Sequence, residues 1–488
     1  MTAASRHVVI VGRDAALWLT AASLREALGP AGVRVTAIEL PSRLGPASVY
    51  ATLPAIESLH ARLGLDEAGL LRTTRGSYSL GYNIVPPGGA PFFLAHGAYG
   101  APIDGSDFFP FWLKASHFGL AAKLEDFSPT AMAARHGRIM LPDDDTEQFG
   151  RTDYAYHLPA IPYATLLKSH ALRLGVAIHQ AVEVRVDQEE GGRIIRSVSP
   201  DGGPPIGGDL FIDASGPEAI LLGGALGVGY EDWRAFFPFD RRVTGKGKPL
   251  PSVPSYAELR LSPTSFTALY STQAASYVTH ACRANEEGDE GAAASAAVAS
   301  GSALTDVAIT SLAPAIRDEA WSGNCVAIGA SACALDPLLD LDLHTVQLGI
   351  VHLLSLFPTT ATAESERAEY NRITRSHFER LRDFQAAPYF LTGASQAPPD
   401  SLLHKIETFR ARGAIAPMED ETFSPDQWRA LFVGLGLMPE TWAPAIETVP
   451  PERMKEDFRR ILGFVRTKVL EQPTHNNYLA ETGAGGTT

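Results

Sequence analysis

The sequence has little cysteine and no paired cysteine motif. Cys282, Cys325 and Cys333 are its three cysteines among 488 residues. No C-x-x-C occurs, which excludes a zinc knuckle or a redox dithiol. A low, odd count fits a reducing compartment. Long apolar runs are also missing: none reaches the roughly 18 residues that a membrane span needs. Residues 1–24 lack the order of a secretory signal, because an apolar strand precedes any small-residue cleavage site. A cytoplasmic protein with no membrane partner is expected. Positive charge is short as well. Lys and Arg number 41 against 55 Asp and Glu, a formal charge of −14. Nucleic acid is therefore not an expected partner, since phosphate neutralisation needs a basic surplus. No G-x-S-x-G occurs, so a serine nucleophile elbow has no support.

Apolar residues make up 45 % of the chain, ample for a large core. "VVIV", Val8 to Val11, suits a buried parallel strand, and Ala15–Ala27 then reads as a helix. "VRVTAIEL", Val33 to Leu40, is a second strand carrying Glu39 near its end. In a dinucleotide fold an acid there holds ribose hydroxyls; the plain alternative is a strand-end charge. Leu166–Gln188 reads as helix then strand. A hairpin follows, and then "GDLFIDASG", Gly208 to Gly216, a buried strand opening into a Gly turn. "GNCVAIGASACALDPL", Gly323 to Leu338, repeats the order strand, Gly turn, small-residue helix start. Asn285–Ala303 is Ala-rich, a loose helix or a linker. From Ser365 the pattern is helical, and the last residues, 481–488, are expected to be disordered.

The turn after the first strand reads Gly12-Arg13-Asp14-Ala15-Ala16-Leu17, where a dinucleotide turn would read G-x-G-x-x-G. The second glycine lets backbone approach a pyrophosphate and the third packs helix on strand. Asp14 adds a negative charge at that place. Aspartate is also a strong N-cap, so Asp14 is expected to cap the helix and to supply the anion there itself. Arg13 offsets part of that charge.

Val8–Leu24 is similar to the "VGGGTAGWLTA" opening of the flavin-dependent tryptophan halogenases and keeps Trp18. "RTTRGSYSLGYNI" resembles that family's "GTFKLGI" strand. "PFWLKA", "LEDFSPTAMAARHGRI", "YAYHLPAIPYATLL", "GDLFIDASG", "YEDWRAFFPFDRRV", "NCVAIGASACALDPL", "YNRITRSHFERLRDF" and "QPTHNNYL" follow in family order. The resemblance covers almost the whole chain. It implies an α/β fold, the FAD/NAD(P)-binding, Rossmann-like flavin monooxygenase fold of the hydroxybenzoate hydroxylase type. Residues 1–360 would form the FAD-type domain with an interleaved substrate-side sheet, and 361–480 a helical C-terminal subdomain.

The resemblance also implies a chemistry. In that family reduced flavin, oxygen and chloride give hypohalous acid, which travels through a tunnel to a lysine in "GTFKLGI". A glutamate in "EPLEST" works beside that lysine, and the following Ser/Thr backbone helps hold chloride. Here the lysine position is Ser79, which carries no charge. The second motif reads Asp336-Pro337-Leu338-Leu339-Asp340-Leu341. The glutamate position is then Leu339, and Asp340 stands on the halide side. A carboxylate there repels chloride by up to ~4 kcal/mol for unit charges 4 Å apart. A one-residue slip would instead give Asp340 the glutamate's role. The tryptophans of the family's "GWxWxIP" motif are missing from Leu259–Gln273. The flavin strap "GVGEATLP" reads "SVYATLP", with Val49 and Tyr50 in place of Gly and Glu.

By the same resemblance the cofactor-side positions are Gly12, Arg13, Asp14, Glu39, Ala51, Asp213, Gly216, Gly329 and Leu338. The substrate chamber would include His157, Phe111, Trp112 and His344. The alternative for the histidines is burial with a hydrogen bond, and for the aromatics core packing; no metal-ligand spacing surrounds them. The expectation is a divergent member unable to halogenate. FAD would bind weakly or not at all, chloride would not bind, and the chain would act as an accessory partner of a halogenase paralogue, in a homo- or heterodimer. The alternative is a flavin-dependent oxygenase or halogenase with non-standard residues, served by a flavin reductase and acting on an aromatic small molecule or peptide.

Overall fold

A computed structural model describes residues 6–143, 152–285, 288–358 and 363–484. The chain divides into two compact units, each drawn from three stretches of sequence. The first comprises Met1–Thr74, Leu158–Ala235 and Ser311–Arg382; the second comprises Arg75–His157, Phe236–Thr310 and Asp383–Thr488.

The first unit is built on a six-stranded sheet. Strand β1 (His7–Gly12) lies at its centre, parallel to β2 (Arg34–Glu39) on one side and to Leu210–Ala214 on the other. Cys325–Ala327 and Ala177–Gln180 extend it as further parallel strands. Val8 to Val11 are buried, as the β-branched run required of a strand covered on both faces. Helix α1 (Asp14–Leu28) crosses from β1 to β2. Its apolar side, Leu17, Trp18, Leu19 and Leu24, is almost fully buried, against helices Ala160–Arg173 and Asp342–Ser355. Strand β3 (Val49–Ala51) follows the loop after β2.

Gly12 is fixed by close approach. A Cβ there would lie 2.7 Å from both the Cβ and the carbonyl oxygen of Ala214 on the neighbouring strand. Leu40 donates its N–H to Gly12 O and Arg13 donates to Ala214 O, so the turn is tied to both neighbours of β1.

Two details differ from the sequence expectation. No helix begins within Gly323–Leu338. Gly329 has φ +65°, and a Cβ on it would stand 2.6 Å from Val346 Cγ2. Only one 3-10 turn, Gly329–Ser331, forms before the chain reaches Pro337, and the helix starts at Asp342. At the C-terminus a helix runs over His475–Ala484, so residues 481–484 are helical where disorder was expected. Residues 485–488 lie outside the described residues.

The second unit carries a seven-stranded sheet in which Ala257–Leu261 runs parallel to Gly81–Val85, and Arg241–Gly247, Ser276–Cys282, Ser265–Ser271 and Ala257–Leu261 pair antiparallel in that order. The Ala-rich segment is the helix Asp289–Ser300. Its small side chains Ala292 and Ala296 let it pack on Val243 and Cys282 of that sheet. Helices Asp400–Arg412, Pro425–Gly434 and Pro451–Glu471 complete this unit. Among the described residues no helix is long and apolar enough to cross a membrane.

Candidate functional site

The candidate residues fall in both units. Gly12, Arg13, Asp14, Glu39, Ala51, Asp213, Gly216, Gly329, Leu338, Leu339, Asp340 and His344 belong to the first; Ser79, Phe111, Trp112 and His157 belong to the second.

Asp14 does not cap α1. Arg13 is the N-cap residue, and no side chain accepts from the first turn of the helix. Asp14 is the first helical residue and holds φ +57°, the left-handed conformation that a glycine would supply. Aspartate tolerates that region better than most side chains. With this backbone its carboxylate points to the loop after β2. It accepts from Ser42 Oγ at 2.5 Å and from the Arg43 N–H at 3.2 Å. The expected self-capping fails because the torsion set by the turn carries the side chain away from the helix axis.

The half-buried helix N-terminus has cations beside it. Arg43 forms an ion pair with Glu218. Burial, and then the neighbouring Arg43 charge, hold Arg13 below the ordinary arginine pKa. The buried Nε of Arg13 has no hydrogen-bond partner. At the far end of β2, Glu39 is paired with Lys168 and also accepts from Gln180 Nε2 at 3.1 Å. A shallow cavity of about 350 Å³ opens between Glu39, Ser42, Gln180 and Asp201.

Three positions expected on the cofactor side are used internally. Asp213 is fully buried. Its carboxylate accepts from Ser215 N and Oγ, Leu221 N, Leu222 N and Ser331 Oγ, which builds the Gly216 turn. The Gly216 N–H donates to Ser331 Oγ. The Leu338 N–H donates to the Asp336 carboxylate at 2.9 Å. The Gly216 and Leu338 N–H groups are thus both engaged within the unit, the first in the turn built on Asp213 and the second on Asp336.

The next turn is unusual in its torsions. Leu339 and Asp340 both have positive φ, +71° and +50°. Leu339 is buried and apolar. The Asp340 carboxylate accepts from the Ala51 N–H at 2.7 Å. One of its oxygens is thus tied to β3. Tyr50 lies in the same place. Burial of its hydroxyl, followed by the charges of Asp14, Asp340 and Asp342, pushes its pKa well above the ordinary phenol range. His344 is buried, with Nδ1 3.4 Å from Gln347 Oε1, and burial pulls its pKa down to about 4.

In the second unit Ser79 is buried, and among the described residues its Oγ makes one long contact, 3.4 Å, with Gly81 O. Strand Ser77–Ser79 pairs with Ala155–Pro159, which sets Ser77 opposite His157. His157 is fully buried; its Nδ1 lies 3.4 Å from Ser271 O and its Nε2 has no partner. His96, which sequence reasoning did not single out, is a charge neighbour of His157. Burial holds the two imidazoles at pKa values of about 3 and about 4, so both are neutral at pH 7. Phe111 is core. Trp112 lines a cavity of about 520 Å³ together with Phe92, Phe93, Tyr99, Leu391 and Val433. Among the described residues no group of three or more His, Cys, Asp or Glu side chains could hold a metal ion.

A flavin dinucleotide needs free donors for its pyrophosphate and, at its ring, space without concentrated negative charge. The turn meets the first requirement, with α1 uncapped and Arg13 Nε unpartnered. At the strap the Ala51 N–H is taken by Asp340, and Asp14, Asp340 and Asp342 are the charges that act on Tyr50. The residues of the turn fit a pyrophosphate.

The comparisons with known proteins agree with the fold. The family model described as tryptophan halogenase matches residues 7–451. Among solved structures, BrvH, a flavin-dependent halogenase from Brevundimonas sp. BAL3, is 29 % identical with a TM-score of 0.91, covering 98 % of this chain and 99 % of that one. Xcc4156, a flavin-dependent halogenase from Xanthomonas campestris, is 26 % identical with a TM-score of 0.91, covering 98 % of each chain. The tryptophan 6-halogenase SttH of Streptomyces toxytricini is 24 % identical, covering 98 % of each chain.

Proposed function

The chain belongs to the tryptophan halogenase family, and from that premise we propose that it is a member that does not halogenate, binds FAD weakly and serves as an accessory partner to an active flavin enzyme. FAD is the cofactor of this family, and a flavin reductase is its usual partner. The observation that carries the reading is the 339–340 turn. Leu339 puts a buried alkyl group where the family's base would stand, and the Asp340 carboxylate is spent on Ala51. Without a base within reach of the reacting atom, the proton lost from the aromatic ring has no acceptor. In the family's register Asp340 falls on the halide side, where its charge would repel an anion. Ser79 supplies no cation to the hypohalous acid.

The test is an assay of the purified chain with FAD, a flavin reductase, oxygen, bromide or chloride, and an indole. No halogenated product by mass spectrometry, and no flavin retained after gel filtration, is the expected result. Halide-dependent product would overturn the reading. Co-purification with a halogenase of the same family supports the accessory role; a chain that stays alone in every such experiment counts against it.

A second reading has one observation in its favour, the uncapped α1 terminus with the unpartnered Arg13 Nε. On that reading the chain binds FAD and inserts oxygen without halide. A stable flavin spectrum and an oxygenated product formed equally well without chloride would select it.

A further inference from the structure

The loop after β2 and strand β3 form a strap, residues 42–51, that is tied down by carboxylates from three other parts of the first unit. Asp14 accepts from Ser42 Oγ at 2.5 Å and from the Arg43 N–H at 3.2 Å. Glu218 pairs with the Arg43 side chain. Asp340 accepts from the Ala51 N–H at 2.7 Å. Inside the strap, the Gly45 N–H donates to Ser48 Oγ at 3.0 Å, which stiffens the segment between the ties. Its base is anchored by the Ala160 N–H on Ser48 O at 3.0 Å.

We infer that Asp14 and Asp340 are internal ligands of this strap, that they hold it closed across the dinucleotide turn, and that they set cofactor affinity by competing with the dinucleotide for it. Two independent features support this. The first is conformational. Asp14, Leu339 and Asp340 all sit at positive φ without being glycine. Such backbone is unfavourable for L residues and persists only where the surroundings over-determine it. The carboxylates that these torsions aim are the ones that meet the strap, at Ser42 and Arg43 for Asp14 and at Ala51 for Asp340. The second is chemical. Each carboxylate presents two oxygen acceptors at a helix start or a turn, the places where ligand oxygens would otherwise meet the strap's N–H groups. The protein's own oxygens fill that role, so a dinucleotide must first displace them.

Affinity for a ligand that needs the open strap falls by the fraction of molecules in which the strap is open. One charge-assisted tie lost should raise FAD affinity about tenfold, and both about a hundredfold if the ties act independently. The inference rests on the reading that FAD binding is weak, and its test separates the two.

The variants are D14G, D340S and the double variant, with D14N and D340N as versions that keep both shape and tolerance of positive φ. Hydrogen exchange of the Ala51 amide is followed by mass spectrometry, and FAD affinity by fluorescence titration. The expected result is at least tenfold faster Ala51 exchange in D340S, with less change in D14G, and tighter FAD binding in each single variant and tightest in the double. Unchanged Ala51 exchange in D340S and D340N overturns the strap tie. Faster exchange without any gain in FAD affinity overturns the competition. Tight FAD binding by the unaltered chain overturns the underlying reading instead. If D14G or D340S does not fold, the Asn variants carry the same comparison, because removing charge alone weakens each tie.

Discussion

Lys168 Nζ stands 2.8 and 2.6 Å from the two carboxylate oxygens of Glu39, and 5.3 Å from the centre of the Trp18 ring. The acid near the end of β2 is therefore neutralised by a helix that arrives more than a hundred residues later. A ribose placed there would meet a paired carboxylate. The side chains are 31 % and 19 % exposed, so solvent screening reduces the pair's contribution.

Lys168→Met and Glu39→Gln are each expected to lower stability by about 1 kcal/mol. The double variant should cost less than the sum of the two, since both remove one interaction. Urea denaturation of the four proteins checks the cycle.

Stability should fall with acid between pH 6.5 and about 4. His60, His157, His344 and His475 are held by burial near pKa 4, and His96 near 3, whereas the unfolded chain titrates near 6.5. In that window the unfolded state binds more protons, so unfolding becomes easier as pH drops. Each histidine adds up to about 1.4 kcal/mol per pH unit to the slope. The effect is absent above pH 7. Urea midpoints at pH 7, 6 and 5 measure it, and His157→Phe should make the dependence shallower.

Gly12→Ala should destabilise by about 1–3 kcal/mol. The added methyl meets the backbone oxygen and Cβ of Ala214, which belong to a neighbouring strand and cannot rotate away. Thermal denaturation reads the loss. The same substitution at Gly45, where a Cβ meets nothing within 4 Å and φ is not positive, is the control without a clash.

Asp213→Asn should cost about 2–4 kcal/mol. The amide group replaces one acceptor oxygen by a donor in a buried site that five donors already face. Loss of amide protection at Leu221 and Leu222 would localise the damage to the Gly216 turn.

The parallel core was legible because its strands are short, mostly apolar runs bounded by turn signals: Val8–Val11, Val35–Ile38 and Phe211–Ile212. The helical pattern after Ser365 was legible for the same reason at helical spacing. Asp14 was misjudged because its local preference for capping yields to a torsion demanded by the turn, and its partners Ser42 and Arg43 lie a helix and a strand away. Lys168 left no local mark of its bond to Glu39, since an ion pair between distant segments has no period. His96 was missed because an isolated histidine after "FFLA" carries no spacing that marks it as the neighbour of His157. The absent helix after Gly329 turned on a single φ and on Val346, a residue beyond the motif itself.

Asp14 keeps the left-handed torsion of a glycine while bringing the chemistry of an acid. Backbone shape and residue identity have therefore come apart at this turn. A search keyed to the letters of a glycine motif would pass over the chain, whereas one keyed to torsion angles would retrieve it. The contour of a loop can be kept under a different spelling, and a turn can be recognised by its outline where its letters differ.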